Sequence, residues 1–454
     1  MNTVENTALF ISALTSFLTA FLGSSINIAL PVIGKEFSSD AITLSWISTI
    51  YLLTAAMFLV PFGRIADIWG NKRIFSLGVL GFTLASLLCS LAQTDLMLII
   101  FRAFQGIASA MVFGTGIAIV TMVFPLQKRG AAIGINVATV YIGLSMGPFL
   151  GGMLTQTLGW RSLFLVNVPL GVIVFILIGL KLKGEWAESR GESFDLIGSL
   201  LYSISLVSLM YGFSHLPERI GLLFFLGGLA GITGFLMWEM QAKHPVLNIN
   251  LFRQNRVFAF SNLAALIHYS STFGVTFLLS LYLEYNKQMS PVHTGMVLVA
   301  QPVIMALFSP LAGRLSDKRD PGNVASAGMF LTIVGLVILI FIDSFQGLIP
   351  IILTLMLLGF GFALFSSPNT NAVMSSVERK FYGVSSGTLG TMRLLGQMLS
   401  MGVAMFMFSL FIGRREIVPE HYDMLLKSIR LSFMVFAVLC VVGLFASLVR
   451  GKAR

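Results

Sequence analysis

The chain has 454 residues, of which 11% are charged and 56% hydrophobic. A soluble globular protein carries about 25% charged residues, so a water-soluble enzyme is excluded: 19 acids and 29 bases do not cover a surface of this size. In a soluble protein a net charge of +10 would suggest nucleic acid; in a chain this apolar it reads as the excess of Lys and Arg on one face of a membrane.

Apolar runs of the roughly 20 residues that span a bilayer recur along the whole sequence. A β-barrel is excluded, because barrel strands alternate over about 10 residues. The opening MNTVENTALF has no basic n-region, so the first run is expected to stay as a helix and not be cleaved. Polar breaks delimit fourteen predicted helices. They fall near 8–31, 45–66, 74–92, 97–123, 131–156, 162–182, 195–214 and 220–238, then 257–283, 293–313, 323–342, 348–372, 383–412 and 430–449. Cys89 and Cys440 lie inside such runs and imply no disulfide framework.

An even number of spans puts both termini on one side. If that side is cytoplasmic, its loops hold 19 Lys and Arg, the opposite loops hold 8, and Arg102 and Arg393 fall within spans. The asymmetry predicts cytoplasmic termini in a cell membrane.

Two segments repeat. Gly63 to Asp67 and Gly313 to Asp317 both read G-R-x-x-D, 250 residues apart. Gly130 and Gly134 follow Lys128-Arg129 at the start of helix 5; Gly383 and Gly387 follow Arg379-Lys380 at the start of helix 13. Each pair is eight helices apart, where two six-helix halves would give six. Two helices are therefore inserted, and the pair at 195–238 is the candidate. The expected architecture is all-α and membrane-spanning: a first bundle at 1–183, an inserted pair with its linker at 184–250, and a second bundle at 251–454. Parallel half repeats with a site between them are a transporter arrangement.

The loop Gly63 to Arg73 reads GRIADIWGNKR, with bases Arg64, Lys72 and Arg73 around the acid Asp67. Taken alone it is a basic loop obeying the charge rule. Gly143, Gly147 and Gly151 recur every four residues in GLSMGPFLGG, beside Pro148 and Gly152. Small residues at that spacing let helix backbones approach closely, and Pro148 permits a bend. Helix 4 carries Arg102 and Gln105 on one face as FRAFQG. Arg102 either acts in transport or snorkels to the interface.

These segments resemble the major facilitator superfamily, in its fourteen-helix drug:proton antiporter branch. The loop matches G-x-x-x-D-x-x-G-x-(R/K)-(R/K) through Gly63, Asp67, Gly70, Lys72 and Arg73, with Asp317 in the second copy. The glycine run matches the antiporter motif G-x-x-x-G-P-x-x-G-G, and FRAFQG matches the helix 4 motif, where the Arg helps proton transfer. GWRSLFLVNVPLG at 159–171, Asn27 with Ala29-Leu30-Pro31, and Lys243-His244-Pro245 ahead of Leu251-Phe252-Arg253 place the resemblance in that branch over essentially the whole chain. The resemblance implies export of drugs or amphipathic compounds by proton antiport, with the loop after helix 2 latching one side. It implies no cofactor or metal. The expected partners are a small-molecule substrate, protons and the bilayer, with no nucleic acid, and the chain is expected to be a monomer.

The sequence departs from the branch in helix 1. Leu22 stands where many members carry an acid, and none of the 19 acids falls at the centre of a predicted span. Intramembrane carboxylates are the usual proton relays. Three groups are left as substitutes: His268 midway through helix 9, Glu284 at its outer end, and Arg393 in helix 13 with Gln397 four residues on. Arg102 and Arg393 without a central acid favour an alternative: a carrier for an anionic or zwitterionic metabolite or lipid, without carboxylate coupling. No H-E-x-x-H, P-loop or nucleophile elbow occurs, so an enzyme is not expected.

Overall fold

A computed structural model of the chain describes residues 3–187, 191–242, 245–247, 249–344, 346–377, 382–413 and 415–451. The predicted Lys243-His244 pair and the Arg379-Lys380 pair lie outside them. Among the described residues there are fourteen helices long and apolar enough to cross a membrane. They are α1 (Thr3–Phe37), α2 (Ala41–Trp69), α3 (Asn71–Ser90), α4 (Asp95–Val123), α5 (Leu126–Leu158), α6 (Arg161–Lys181) and α7 (Leu196–His215). Then follow α8 (Arg219–Glu239), α9 (Arg256–Leu281), α10 (Pro291–Ser316), α11 (Pro321–Ile340), α12 (Ile349–Ser375), α13 (Tyr382–Phe411) and α14 (Tyr422–Val449). The number agrees with the fourteen apolar runs, and the even count returns both chain ends to one side.

Side-chain caps open several helices. Asp40, Thr94, Asp195, Asn255, Ser290 and Asp320 each accept a backbone N–H of the first turn, which satisfies donors a helix leaves free. Two spans are broken where the sequence predicted continuous runs. α6 interrupts at Val166 and α10 at Val299. Pro169 and Pro302 lie three residues beyond, and a proline ring clashes with the carbonyl four residues back. α9 continues into a π-helical turn, Tyr282–Asn286.

The apolar surface is turned outward. Leu180 and Leu223 are each 73% exposed. Such a belt is stable only against lipid. The interior is filled by buried Phe, Leu, Ile and small residues, with many buried Ser and Thr hydroxyls bonded back to their own helices.

The two halves pack alike. In the first, α1 packs on α5, α2 on α4, and α3 on α4; in the second, α9 packs on α13, α10 on α12, and α11 on α12. The halves meet along two lines, α2 against α13 and α5 against α10, which are equivalent under the repeat. The inserted helices α7 and α8 pack on one another through glycines: a Cβ at Gly212 would lie 2.5 Å from Phe225 N, and one at Gly228 2.7 Å from Leu209 N. α7 also lies against both α2 and α13, so the pair covers one seam between the halves.

Candidate functional site

The halves touch at the end away from the termini. Asp40, before α2, forms an antiparallel bridge with Glu416, before α14. The Tyr285 hydroxyl donates to Pro31 O at 3.3 Å, and Val292 N donates to Gln156 Oε1 at 3.4 Å. The glycine run does two jobs here. A Cβ at Gly143 would lie 2.7 Å from Phe17 O, and one at Gly147 2.6 Å from Ser24 Cβ, so these residues seat α5 on α1. Gly151 likewise meets Ser25. Gly152 instead faces the other half: its Cβ would be 2.4 Å from Pro291 O. Gly295 reciprocates, with a Cβ position 2.1 Å from Pro148 O. Backbone thus meets backbone across the seam, at Pro148 within α5.

Midway along the seam lies a cluster built from both halves. Tyr269 of α9, Met305 of α10 and Phe362 of α12 pack together, and Tyr141 of α5 packs against them. The Tyr269 and Tyr141 hydroxyls both reach Ser366 Oγ, at 3.3 and 3.5 Å. Arg393 of α13 lies beside this cluster, half-buried. Its guanidinium sits 5.6 Å from the Tyr269 ring centroid, and Nη2 donates to Thr370 Oγ1 at 2.9 Å. Its Nε is buried and has no partner. Gln397, one turn on, is half-buried on the same helix.

Of the other predicted residues, only His268 reaches this cluster. Arg102 does not snorkel. It is 1% exposed inside the first half. Nη1 donates to Gln105 Oε1 at 2.5 Å and Nε to Ile47 O at 3.3 Å, and the guanidinium lies 4.3 Å over the Tyr51 ring. Gln105 donates onward to Ser86 Oγ at 2.8 Å. Asn27 accepts from Ser48 Oγ at 3.1 Å, tying α1 to α2. His268 is buried within the second half. It stacks on Phe365 at 4.0 Å and its Nε2 meets Thr332 Oγ1 at 3.3 Å. Its ring lies edge-on to Tyr269 at 6.1 Å and 5.3 Å from Phe362, so it backs the seam cluster from within the second half. Glu284 sits in the π turn, 3% exposed, with Oε1 unpartnered. Its neighbour Tyr285 touches the first half, and Lys35 of α1 lies 5.6 Å over the Tyr285 ring.

The predicted loop Gly63 to Arg73 is helical except at Gly70, and these helix ends of α2 and α3 are held by the linker that follows α6. Glu185 Oε1 accepts from Lys72 N at 2.9 Å, Trp186 O accepts from Asn71 N at 2.8 Å, and Arg64 pairs with Glu192. Arg73 Nε is 3.7 Å from Glu185 Oε2. Gly70 has φ +117° and a Cβ there would strike Glu185, which explains glycine at this turn. Asp67 is half-buried and partnered. The Asp317 side chain lies outside the described residues.

Sequence reading missed Tyr141, Tyr269, Ser366 and Thr370, because Tyr, Ser and Thr are common in apolar helices and only the pairing of helices joins these four. It also missed Arg450, placed as a loop charge. Arg450 is buried, donating to Asn369 Oδ1 at 2.9 Å, Ser447 Oγ at 2.9 Å and Gly322 O at 2.5 Å. Burial pushes its pKa down to about 10, so it stays charged at neutral pH.

Comparison with known proteins agrees with this architecture. Residues 12–252 and 261–453 match the Major Facilitator Superfamily profile. The chain is 31% identical over 441 residues to the riboflavin transporter RibZ of Clostridioides difficile, covering 96% of this chain and 95% of that one. It is 30% identical over 410 residues to the multidrug resistance protein Stp of Mycobacterium tuberculosis, covering 89% and 76%. Among solved structures, a bacterial homologue of the human lysosomal transporter Spinster superposes with a TM-score of 0.69 at 18% identity, over 99% of this chain and 97% of that one. A POT family transporter superposes with a TM-score of 0.73 at 15% identity, over 96% and 94%. A multi-pass membrane chain of fourteen helices, built as two similar halves and matched over nearly its full length, belongs to the major facilitator superfamily of transporters and is not an enzyme.

Proposed function

We propose that the protein is a secondary transporter of the cell membrane that exports drugs or amphipathic small molecules, with protons moving in the opposite sense. Residues 1–183 and 251–454 would rock against one another as alternating access requires. One observation carries this reading: the far end of the seam is closed by reciprocal backbone contacts, Gly152 to Pro291 and Gly295 to Pro148. Contacts of that kind part without unravelling either bundle. Relatives named as a multidrug resistance protein and as a tetracenomycin C resistance and export protein support export. The charge asymmetry supports cytoplasmic termini, and we take the chain to work as a monomer in lipid.

Glu284 is the titratable group best placed to couple protons, because its turn contacts the first half through Tyr285. His268 is enclosed by its own half. A second reading, a carrier with no carboxylate coupling, is favoured by the middle of the seam: among the described residues, Arg393 makes no ion pair there with an acid. Everted membrane vesicles decide between the two. With an imposed pH gradient, accumulation of a fluorescent amphipathic dye is expected to rise. Accumulation indifferent to the gradient overturns antiport and leaves the second reading. Glu284→Gln is expected to remove most of the gradient response, and His268→Gln to leave it.

A further inference from the structure

We propose that Arg393 anchors an anion-binding subsite between the two halves, suited to a carboxylate carried on a flat aromatic body. The inference rests on the transporter reading and names the substrate class of that same seam. A guanidinium has five N–H donors and no acceptor. Arg393 uses one of its groups, Nη2, on Thr370 Oγ1. Its Nε is buried without a partner, and an unmet buried donor is costly. A cation inside a membrane is retained where it faces a partner or a hydrated path. Among the described residues no acid supplies that partner. The missing counter-charge is then expected from the transported molecule.

The surroundings fit such a molecule. Thr370 and the Tyr269 ring fix the orientation of the guanidinium. A fork held in this way matches a planar anion through two parallel N–H bonds. The Tyr269 and Tyr141 hydroxyls converge on Ser366 from opposite halves, adding neutral donors nearby. Met305 and Phe362 give apolar contact for an aromatic body. Because Tyr141 comes from the first half and Arg393 from the second, a bound molecule touches both moving parts.

Arg102 is a contrast within the same chain. It too lacks an acid, but its Nε and Nη1 are bonded and a tyrosine ring covers it. It is sealed within one half and offers nothing to a ligand.

The test uses tetramethylrhodamine with a free carboxylate and its ethyl ester, two dyes sharing one aromatic body. Binding to the purified protein in detergent is read by fluorescence anisotropy. The free carboxylate is expected to bind at least ~10-fold more tightly than the ester. Arg393→Gln should abolish that preference while ester binding is kept, and Arg393→Lys should retain part of it. Equal binding of both dyes to the unaltered chain, or an undiminished carboxylate preference in Arg393→Gln, overturns the subsite. Ester binding also reports folding. If Arg393→Gln binds neither dye, Thr370→Val is read instead: a reduced carboxylate preference supports the subsite and an unchanged one overturns it. Preference for the ester together with gradient-driven export of it would overturn the subsite and leave the export reading intact. Failure of both dyes and of ethidium to bind or move would overturn both.

Discussion

Arg102, Arg393 and Arg450 are guanidinium groups removed from bulk water, in three different settings. Arg102 and Arg450 are cross-links. Each spends its donors on neutral groups of neighbouring helices, Arg102 joining α4 to α2 and Arg450 joining α14 to α9, α11 and α12. Truncating either leaves buried acceptors unpaired, at about 1–3 kcal/mol. Arg102→Ala and Arg450→Ala are therefore each expected to lower the thermal unfolding temperature in detergent. Neither should change the relative binding of the rhodamine acid and its ester. A changed preference in Arg102→Ala, sealed within the first half, would show that the preference does not report on Arg393.

At the scale of elements, the glycine run of α5 separates folding from movement. Gly143 and Gly147 face α1 in the same half, whereas Gly152 faces α10 in the other. Gly143→Leu is expected to destabilise the first bundle whichever state the molecule adopts. Gly152→Leu should fold but disfavour closure of the far end, so transport falls while the unfolding temperature changes little. Equal thermal losses in both variants would refute this division. The linker after α6 is a second element with a definite task. It brings Glu185 and Glu192 to the basic residues where α2 ends and α3 begins. A Glu185→Ala, Glu192→Ala double variant is expected to raise proteolysis of the linker at low salt. The effect should be small, since exposed ion pairs contribute about 0–1 kcal/mol each.

For the whole molecule, the bridge between Asp40 and Glu416 is the most direct handle on the moving halves. Residues facing each other across an antiparallel pair have Cα atoms about 4.5–5.5 Å apart, within the range a disulfide spans. With the buried Cys89 and Cys440 replaced by Ser, the Asp40→Cys, Glu416→Cys variant is expected to lose transport on oxidation and recover it on reduction. Transport that survives complete cross-linking would mean that this end need not open. The inserted pair bears on the same motion. α7 lies on both α2 and α13, and Ser409 Oγ donates to Leu216 O at 2.5 Å beyond its end. α7 therefore touches both halves.

The sequence by itself determined the solvent and the count. Apolar runs of spanning length are set by the bilayer, so fourteen helices, their order and the doubled half could be read without coordinates. The same local signals located the glycine run and the basic loop, because both are contiguous. Prolines at 169 and 302 carried the breaks in α6 and α10, although apolar periodicity alone passed over them. What only the tertiary structure decided was direction: which face of each helix meets which neighbour. In a membrane every face is apolar, so hydrophobic patterning carries little information about facing. That is why Arg102 and Arg393 looked alike in sequence, one proving sealed within a bundle and the other set at the seam. It is also why Tyr141 and Ser366, 225 residues apart, became parts of one site only when the helices were packed.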